Sequence, residues 1–355
     1  MERSAPAMLQ ESYDNVGLLV GDPDGEVSGA LVCLDVTEGV IEEAITHGCG
    51  LIIAHHPLIF KGLKRLVGSD PVQRMVIKAI RQDIAVMAVH TNLDNVAWGV
   101  NGELAQRIGL SPAHVLETRP DQLRKLVVFV PRDHVEPVRN ALFQSGAGQL
   151  GRYDECSFGV DGTGTFRAGA GSEPFVGVIG ERHDEAEVRL EVIYPTMIER
   201  SLLRAMMEAH PYEEVAHFIH PVLIGHPQIG SGLIGEFPEP VDPVAFLALL
   251  KDRLGIPWLR HGPMPNRPIR RVALCGGSGA FLLSKAKAEK VDAFVTGDLK
   301  YHDFFEADGR LLLVDVGHYG SEQFTMTLIQ RLLGEKFPTF AVRLTETVTD
   351  PIHYS

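Results

Sequence analysis

Two histidines, His55 and His56, stand side by side after the apolar run LIIA and before Pro57. Side chains on a strand alternate between faces, so adjacent imidazoles cooperate only where the strand has ended. Pro57 biases His56 toward an extended conformation and stops regular pairing, which frees both rings to turn to one place. His90 and Asp94 follow a second apolar run, IAVMAV, and His318 and Glu322 follow a third, LLLVDV. The helix after LLLVDV is expected to start near Ser321, with Gly317 and Gly320 allowing a tight turn before it. His318 and Glu322, four apart, become neighbours if that helix opens early, and its positive N-terminus would keep the glutamate ionised. Imidazoles and carboxylates without a thiolate form a ligand set of intermediate hardness, suited to Zn²⁺, Mn²⁺ or Fe²⁺. A single zinc takes three or four protein ligands. The five candidates His55, His56, Asp94, His318 and Glu322, two of them carboxylates that can bridge, suit two divalent ions per subunit about 3.5–4 Å apart.

Other residues could serve that centre. In TGDLKYHD, Asp298, Lys300 and His302 follow a strand. His302 could act as general acid or base, its ordinary pKa lying near neutrality; alternatively Asp298 caps a short helix that holds His302 at the surface. Asp35 and His90 are candidates for orienting the ligand imidazoles through their second ring nitrogens, although Asp35 could equally cap the helix after Thr37. The glycine-rich CGGSG resembles a phosphate cradle but lacks a Walker lysine and the full spacing, so a tight strand-to-helix turn is the preferred reading. HPYEE, where a helix turns into a strand, is assigned a structural use.

These residues need strand ends to hold them. From Ala30 the chain reads ALVCLDV, TEGVIEEAITHG, CGLIIAHHP, PVQRMVIKAIRQD and IAVMAVHTNLD, apolar runs alternating with helical stretches. That alternation predicts βαβ units and a mainly parallel sheet, whose carboxyl ends bind ligands. From Arg270 the plan repeats, and an offset of 241 positions aligns the two halves without a gap, as expected of two related lobes. Between them LRKLVVFVP, RDHVEPVRNALFQSGA, a glycine-rich stretch, EVRLEVIYP, TMIERSLLRAMMEAH and YEEVAHFIHPV follow the order β-α-β-β-α-β of a ferredoxin-like module. Turn-rich LETRPDQ and GHPQIGSG flank it. The expected fold is therefore α/β: a discontinuous core of two pseudo-repeated lobes, residues 1–122 and 223–355, interrupted by an α+β insert at 123–222.

Composition narrows the function. With 33 lysines and arginines against 46 aspartates and glutamates, the formal charge of −13 argues against nucleic-acid or anionic-membrane partners, which need a basic face. Four scattered cysteines with no Cys-x-x-Cys pair point away from a disulfide framework and toward a reducing cytoplasm. There is no signal-like apolar core in MERSAPAMLQESYDN and no run of 18 apolar residues, so a soluble cytoplasmic protein is expected.

ESYDNVGLLVGDP, IIAHHPLIFKGLKRL, VHTNLDN, TGDLKYHD, DVGHYGSE and the terminal TVTDPIHY, with GRYDECSF, GTGTFR and HPYEEVA in the insert, resemble the NGG-one-interacting-factor-three-like family over nearly the whole chain. Its members are often called GTP cyclohydrolase 1 type 2 homologues. The family's first helix usually begins earlier, so this chain is expected to lack its opening turns. The resemblance implies a toroidal homohexamer, a trimer of dimers, with a dinuclear metal centre in each subunit. Carried over by motif, its ligands fall on His55, His56, Asp94, His318 and Glu322. It also implies that the insert is similar to PII or CutA modules.

The expected function is a metal-dependent hydrolase acting on a nucleotide or related small molecule, with His302 moving protons. If the family's GTP activity holds, water attacks the purine imidazole carbon, opens the ring and releases formate. The competing reading is a metal-binding or regulatory assembly in which catalysis is incidental. A catalytic centre needs an open coordination position, whereas storage does not.

Overall fold

Residues 5–353 of the protein are described in a computed structural model. The expectation about opening turns, and Tyr354 of TVTDPIHY, lie outside them. The chain forms two compact units, one running to Thr118 and resuming at Gln228, the other spanning Arg119–Pro227.

In chain order the first unit contributes strands β1 (Gly17–Val20), β2 (Gly29–Cys33), β3 (Leu51–Ala54), β4 (Ala85–Ala88) and β5 (Ser111–Thr118). The second holds β6 (Leu123–Pro131), β7 (Ser157–Arg167), β8 (Arg182–Pro195) and β9 (His217–Val222). The first then resumes with β10 (Gly230–Val241), β11 (Arg260–His261), β12 (Ile269–Ser278), β13 (Ala293–Gly297), β14 (Leu312–Asp315) and β15 (Ala341–Leu344).

The first unit has two sheets. One runs β1-β4-β3-β2-β15, with β15, β2, β3 and β4 parallel and β1 antiparallel at the edge. Helices Glu38–Thr46 and Pro71–Arg81 make its crossovers. Each starts on a side-chain cap: Thr37 Oγ1 accepts from Val40 N at 3.2 Å, and Asp70 Oδ1 from Gln73 N at 2.9 Å. Asp35 is left free of capping duty. Strand β2 is buried at all five positions, as a parallel strand covered on both faces must be. The other sheet runs β11-β14-β13-β12-β10-β5, with β12, β13 and β14 parallel and β10, β5 and β11 antiparallel to their neighbours. Its core gathers Leu274, Val295 and Val314 with Phe246 and Leu250 of helix Pro243–Leu254. Full burial of such side chains stabilises by about 1.5–3 kcal/mol each.

Strands β5 and β10 reach into LETRPDQ and GHPQIGSG, whose expected turns lie at 120–121 and 227–228. Pro112 is tolerated because β5 is an edge strand, and β10 spends Gly230 and Gly232 where the neighbouring strand and Leu274 O leave no room for a Cβ.

In the second unit the elements follow the order β6, helix Val135–Gln144, β7, β8, helix Glu199–Ala209 and β9, in one antiparallel sheet ordered β7-β8-β6-β9. Leu126, Val128, Leu190 and Val192 of the sheet pack on Val138, Leu142, Leu202 and Met206 of the two helices. The glycine-rich stretch supplies β7, an eleven-residue strand paired along its length with β8. None of the described helices is long and apolar enough to cross a membrane.

Candidate metal centre

The ladder of β3 continues past its last residue. His55 N donates to Cys33 O at 3.1 Å and His56 N to Leu34 O at 2.9 Å. Pairing stops at Pro57, which has no N–H to give. The adjacent rings therefore leave the backbone in different directions, with centroids 4.9 Å apart and planes at 46°, and converge at their tips on one residue, Glu322.

That convergence depends on Glu322 rising from the opposite sheet. Gly317, at φ 79°, turns the chain after β14, and a short helix, His318–Glu322, opens at His318 instead of near Ser321. Opening early places His318 Nε2 3.0 Å from Glu322 Oε2. Beneath the carboxylate runs the CGGSG end of β12. Gly277 has φ 60°, and a Cβ there would stand 2.3 Å from Glu322 Oε1. The motif that resembled a phosphate cradle is thus the floor under a carboxylate.

Two groups of possible ligand atoms meet at Glu322. On one side, His55 Nε2 lies 3.7 Å from both Asp94 Oδ1 and Glu322 Oε1. On the other, His56 Nε2 lies 3.1 Å from Glu322 Oε2 and 3.2 Å from His318 Nε2. His90 also belongs to the cluster, its ring sharing a possible ligand set with His55 and His56.

The first group tests whether a cation fits. His55 is fully buried and its Nδ1 lies 2.8 Å from Val89 O, which can only accept, so the proton sits on Nδ1. Burial pushes the His55 pKa down, leaving Nε2 as a bare lone pair facing two carboxylate oxygens. Neither His55 Nε2 nor Asp94 Oδ1 has a hydrogen-bond partner, and both are buried. Three acceptors aimed at one point repel unless a positive centre joins them. Ligand atoms about 2.0–2.2 Å from one ion stand a little over 3 Å apart, close to the spacing found. The residues fit a divalent cation.

The electrostatics agree. Burial opposes the charge on Glu322, but hydrogen bonds with His318 and His56 outweigh it and hold the carboxyl well below its ordinary range. Burial, reinforced by the Glu322 charge, pushes Asp94 well above its own. For His56 and His318, burial is overcome by their carboxylate partners, which raise the imidazoles to about 10 and about 9. Without a metal, protons take its place between the rings and Glu322.

Each ligand ring is held from behind. His56 Nδ1 donates to Asp35 Oδ1 and His318 Nδ1 to Asp298 Oδ2, both at 2.7 Å, while Thr349 Oγ1 donates to Asp35 Oδ2 at 2.9 Å. Such contacts select the tautomer that leaves Nε2 facing the centre. His90 Nδ1 is held at 2.8 Å by Asp14 Oδ1, a residue that no spacing argument had singled out. Burial of Asp14 is offset by its bonds with His90 and Thr91, and its carboxyl is held at about 2. Asp14 had one signal, its place in ESYDN.

The structure thus brings together His55, His56, Asp94, His318 and Glu322, with Asp35, His90 and Asp298 against them. It does not bring His302 to them. That residue is exposed at the start of helix Asp303–Glu306, its ring against Tyr301 and Phe305. Asp298 is turned to His318, and it is Asp303 Oδ2 that accepts from Lys300 N. A cavity of about 580 Å³ opens over His56, His90 and His318, walled by Phe60, Trp258 and Tyr319.

The family described as Duf34/NIF3 (NGG1p interacting factor 3) matches over residues 1–351. The chain belongs to the Duf34/NIF3 family. Within it, the chain is 38% identical over 359 residues to a Bacillus subtilis (strain 168) protein named GTP cyclohydrolase 1 type 2 homolog, covering 99% of this chain and 96% of the relative. A Mycobacterium tuberculosis (strain ATCC 25618 / H37Rv) protein of the same name is 36% identical, with 99% and 94% covered. Among solved structures, a Bacillus cereus protein related to NIF3 superposes with a TM-score of 0.87 at 36% identity, covering 100% of this chain and 96% of that one. Staphylococcus aureus protein SA1388 gives 0.77 at 31% identity, with the same coverage. These Duf34/NIF3 relatives share the mixed α/β fold with several sheets.

Proposed function

We propose that this Duf34/NIF3 chain binds two divalent metal ions, Zn²⁺, Fe²⁺ or Mn²⁺, and acts as a metal-dependent hydrolase on a nucleotide or related small molecule. The observation that carries the reading is Glu322: each of its two oxygens faces a different ligand group, as a bridging carboxylate requires. His55, Asp94 and Glu322 would hold one ion, and His56, His318 and Glu322 the other, with His90 beside both. Ions held there supply Lewis-acid chemistry and activate water near neutral pH. The chain's own part is positional. Val89 O, Asp35 and Asp298 orient the imidazoles, and burial of Glu322 keeps bulk water from its carboxylate. The cavity over His56 and His318 supports hydrolysis over closed storage, because it leaves a substrate room beside the ligands. The relatives' names favour a GTP cyclohydrolase-type ring opening, in which one water adds to the purine imidazole carbon and opens the ring to a formamide, and a second hydrolyses the formamide to formate.

The same reading carries the assembly: a cytoplasmic, toroidal homohexamer built as a trimer of dimers. Its discontinuous core would be two pseudo-repeated lobes, 1–122 and 223–355, with a PII/CutA-like insert at 123–222. Free cysteines at all four positions support a reducing compartment.

Elemental analysis of protein purified without added metal, beside Glu322→Gln, tests the centre. About two ions per chain, at most one of them kept by the variant, is the expected result. Folded protein that holds no metal and takes none up on titration would end the hydrolase reading.

A further inference from the structure

The second unit contains a cavity of about 630 Å³, in the size range of small-molecule sites, whose lining lies wholly between Phe129 and Ala216. From this cavity we infer that the second unit is itself a binding module, for a small organic cation: a primary amine or amidinium carried on an apolar body.

Three features point to that chemistry. The walls include four aromatic rings, Phe129, Phe166, Phe175 and Tyr212, and aromatic faces attract cations. The centroids of Phe166 and Phe175 lie 6.1 and 6.2 Å from that of Tyr212, so the three rings form one group. Next, one wall presents the carboxylate of Glu187, only 7% exposed, whose Oε1 accepts from Tyr212 Oη at 3.0 Å. Gly164 leaves space around it, since a Cβ there would stand 2.0 Å from Glu187 Oε2. A buried carboxylate facing a cavity selects a positive ligand. Finally, the remaining charge is acidic. Of the lining's arginines, Arg189 is paired with Glu191 at 2.7 Å, and Asp161 is paired with Arg132 at 3.0 Å, which leaves Glu187, Glu213 and Glu214 against Arg167.

HPYEE builds this wall. Buried His210 donates from Nε2 to Phe129 O at 3.0 Å and accepts at Nδ1 from Tyr212 N at 3.1 Å, so its two ring nitrogens fix the tyrosine that reaches Glu187. Glu213 Oε1 accepts from Glu173 N at 3.0 Å, tying the loop before Phe175 to the same motif. The glycines of β7 at 162 and 164 remove side chains that would fill the space.

The test is calorimetric titration of the full-length protein with phenethylamine and benzamidine, beside neutral phenethyl alcohol and anionic phenylacetate. Both cations are expected to bind at least about tenfold more tightly than the alcohol, and phenylacetate not to bind, the difference being that of a charge-assisted contact. Glu187→Gln keeps the acceptor for Tyr212 and should weaken the cations about tenfold while leaving the alcohol unchanged. Equal binding of cation and alcohol by the wild-type protein, no binding by any probe, or full cation affinity in the folded variant would each overturn the proposal.

Discussion

His55 Nε2 and Asp94 Oδ1 lie 3.7 Å apart, buried, and neither has a hydrogen-bond partner. A lone pair and a carboxylate oxygen held so are costly unless something positive joins them, and an unsatisfied buried group costs about 1–3 kcal/mol. Asp94→Asn removes the charge and supplies N–H donors. The variant should be about 1 kcal/mol more stable than wild type when both are metal-free, yet bind metal at least about tenfold more weakly. Denaturant melts with and without chelator, beside metal analysis, check both halves. A variant that loses stability while keeping its metal contradicts this account of the pair.

Metal uptake should release protons. In the metal-free protein His56 is raised to about 10 and His318 to about 9, so the folded state holds protons that the unfolded state has shed. The stabilisation from these groups is fully present below about 6.5 and is lost as pH rises through 9 to 10. Bound metal needs neutral rings, so affinity should climb across the same interval. Calorimetric titrations at pH 7.5 in two buffers of different ionisation enthalpy count the protons, and identical heats in both would refute the prediction.

Gly277→Ala should damage the centre without replacing a ligand. The new methyl would stand 2.3 Å from Glu322 Oε1, on a backbone at φ 60° that favours glycine. A loss of about 1–3 kcal/mol in stability is expected from the conformation and crowding together. Metal content should fall in the protein that still folds, and elemental analysis reads it directly.

The acceptors behind the rings should matter nearly as much as the ligands. Asp35→Asn and Asp14→Asn weaken the orientation of His56 and His90 and are expected to lower metal affinity about 10–100-fold. Competition with a chromogenic chelator measures this. Affinities within twofold of wild type would show the rings to be held by packing alone.

His302→Ala separates proton transfer from metal binding. Exposed, with its ring against Tyr301 and Phe305, His302 should be dispensable for metal content and stability. If the imidazole moves protons in turnover, the variant's kcat falls about 10²–10⁴-fold at full metal loading. Unchanged turnover on an identified substrate removes it from the mechanism.

Much of this centre is legible locally because metal ligands come from few residue types at strand ends. LIIAHHP, HTNLD and GHYGSE each put a histidine or carboxylate where an apolar run stops, and a parallel sheet presents such ends together. Helix starts at Thr37 and Asp70 follow equally local chemistry, since a cap needs only a side-chain oxygen and the next turn's N–H. Strands β5 and β10 are not legible locally, because their prolines and glycines answer to a neighbouring strand.

What the sequence determined by itself was the ligand inventory and the strand–helix alternation, both set by residue type and short-range spacing. Tertiary structure alone decided that Glu322 turns its two oxygens to separate histidine groups, that Gly277 lies beneath it, and that Asp14 reaches His90 across 76 positions. Those relations join residues from opposite sheets or distant loops. Their distances are set by how packed layers meet, which spacing along a chain does not encode.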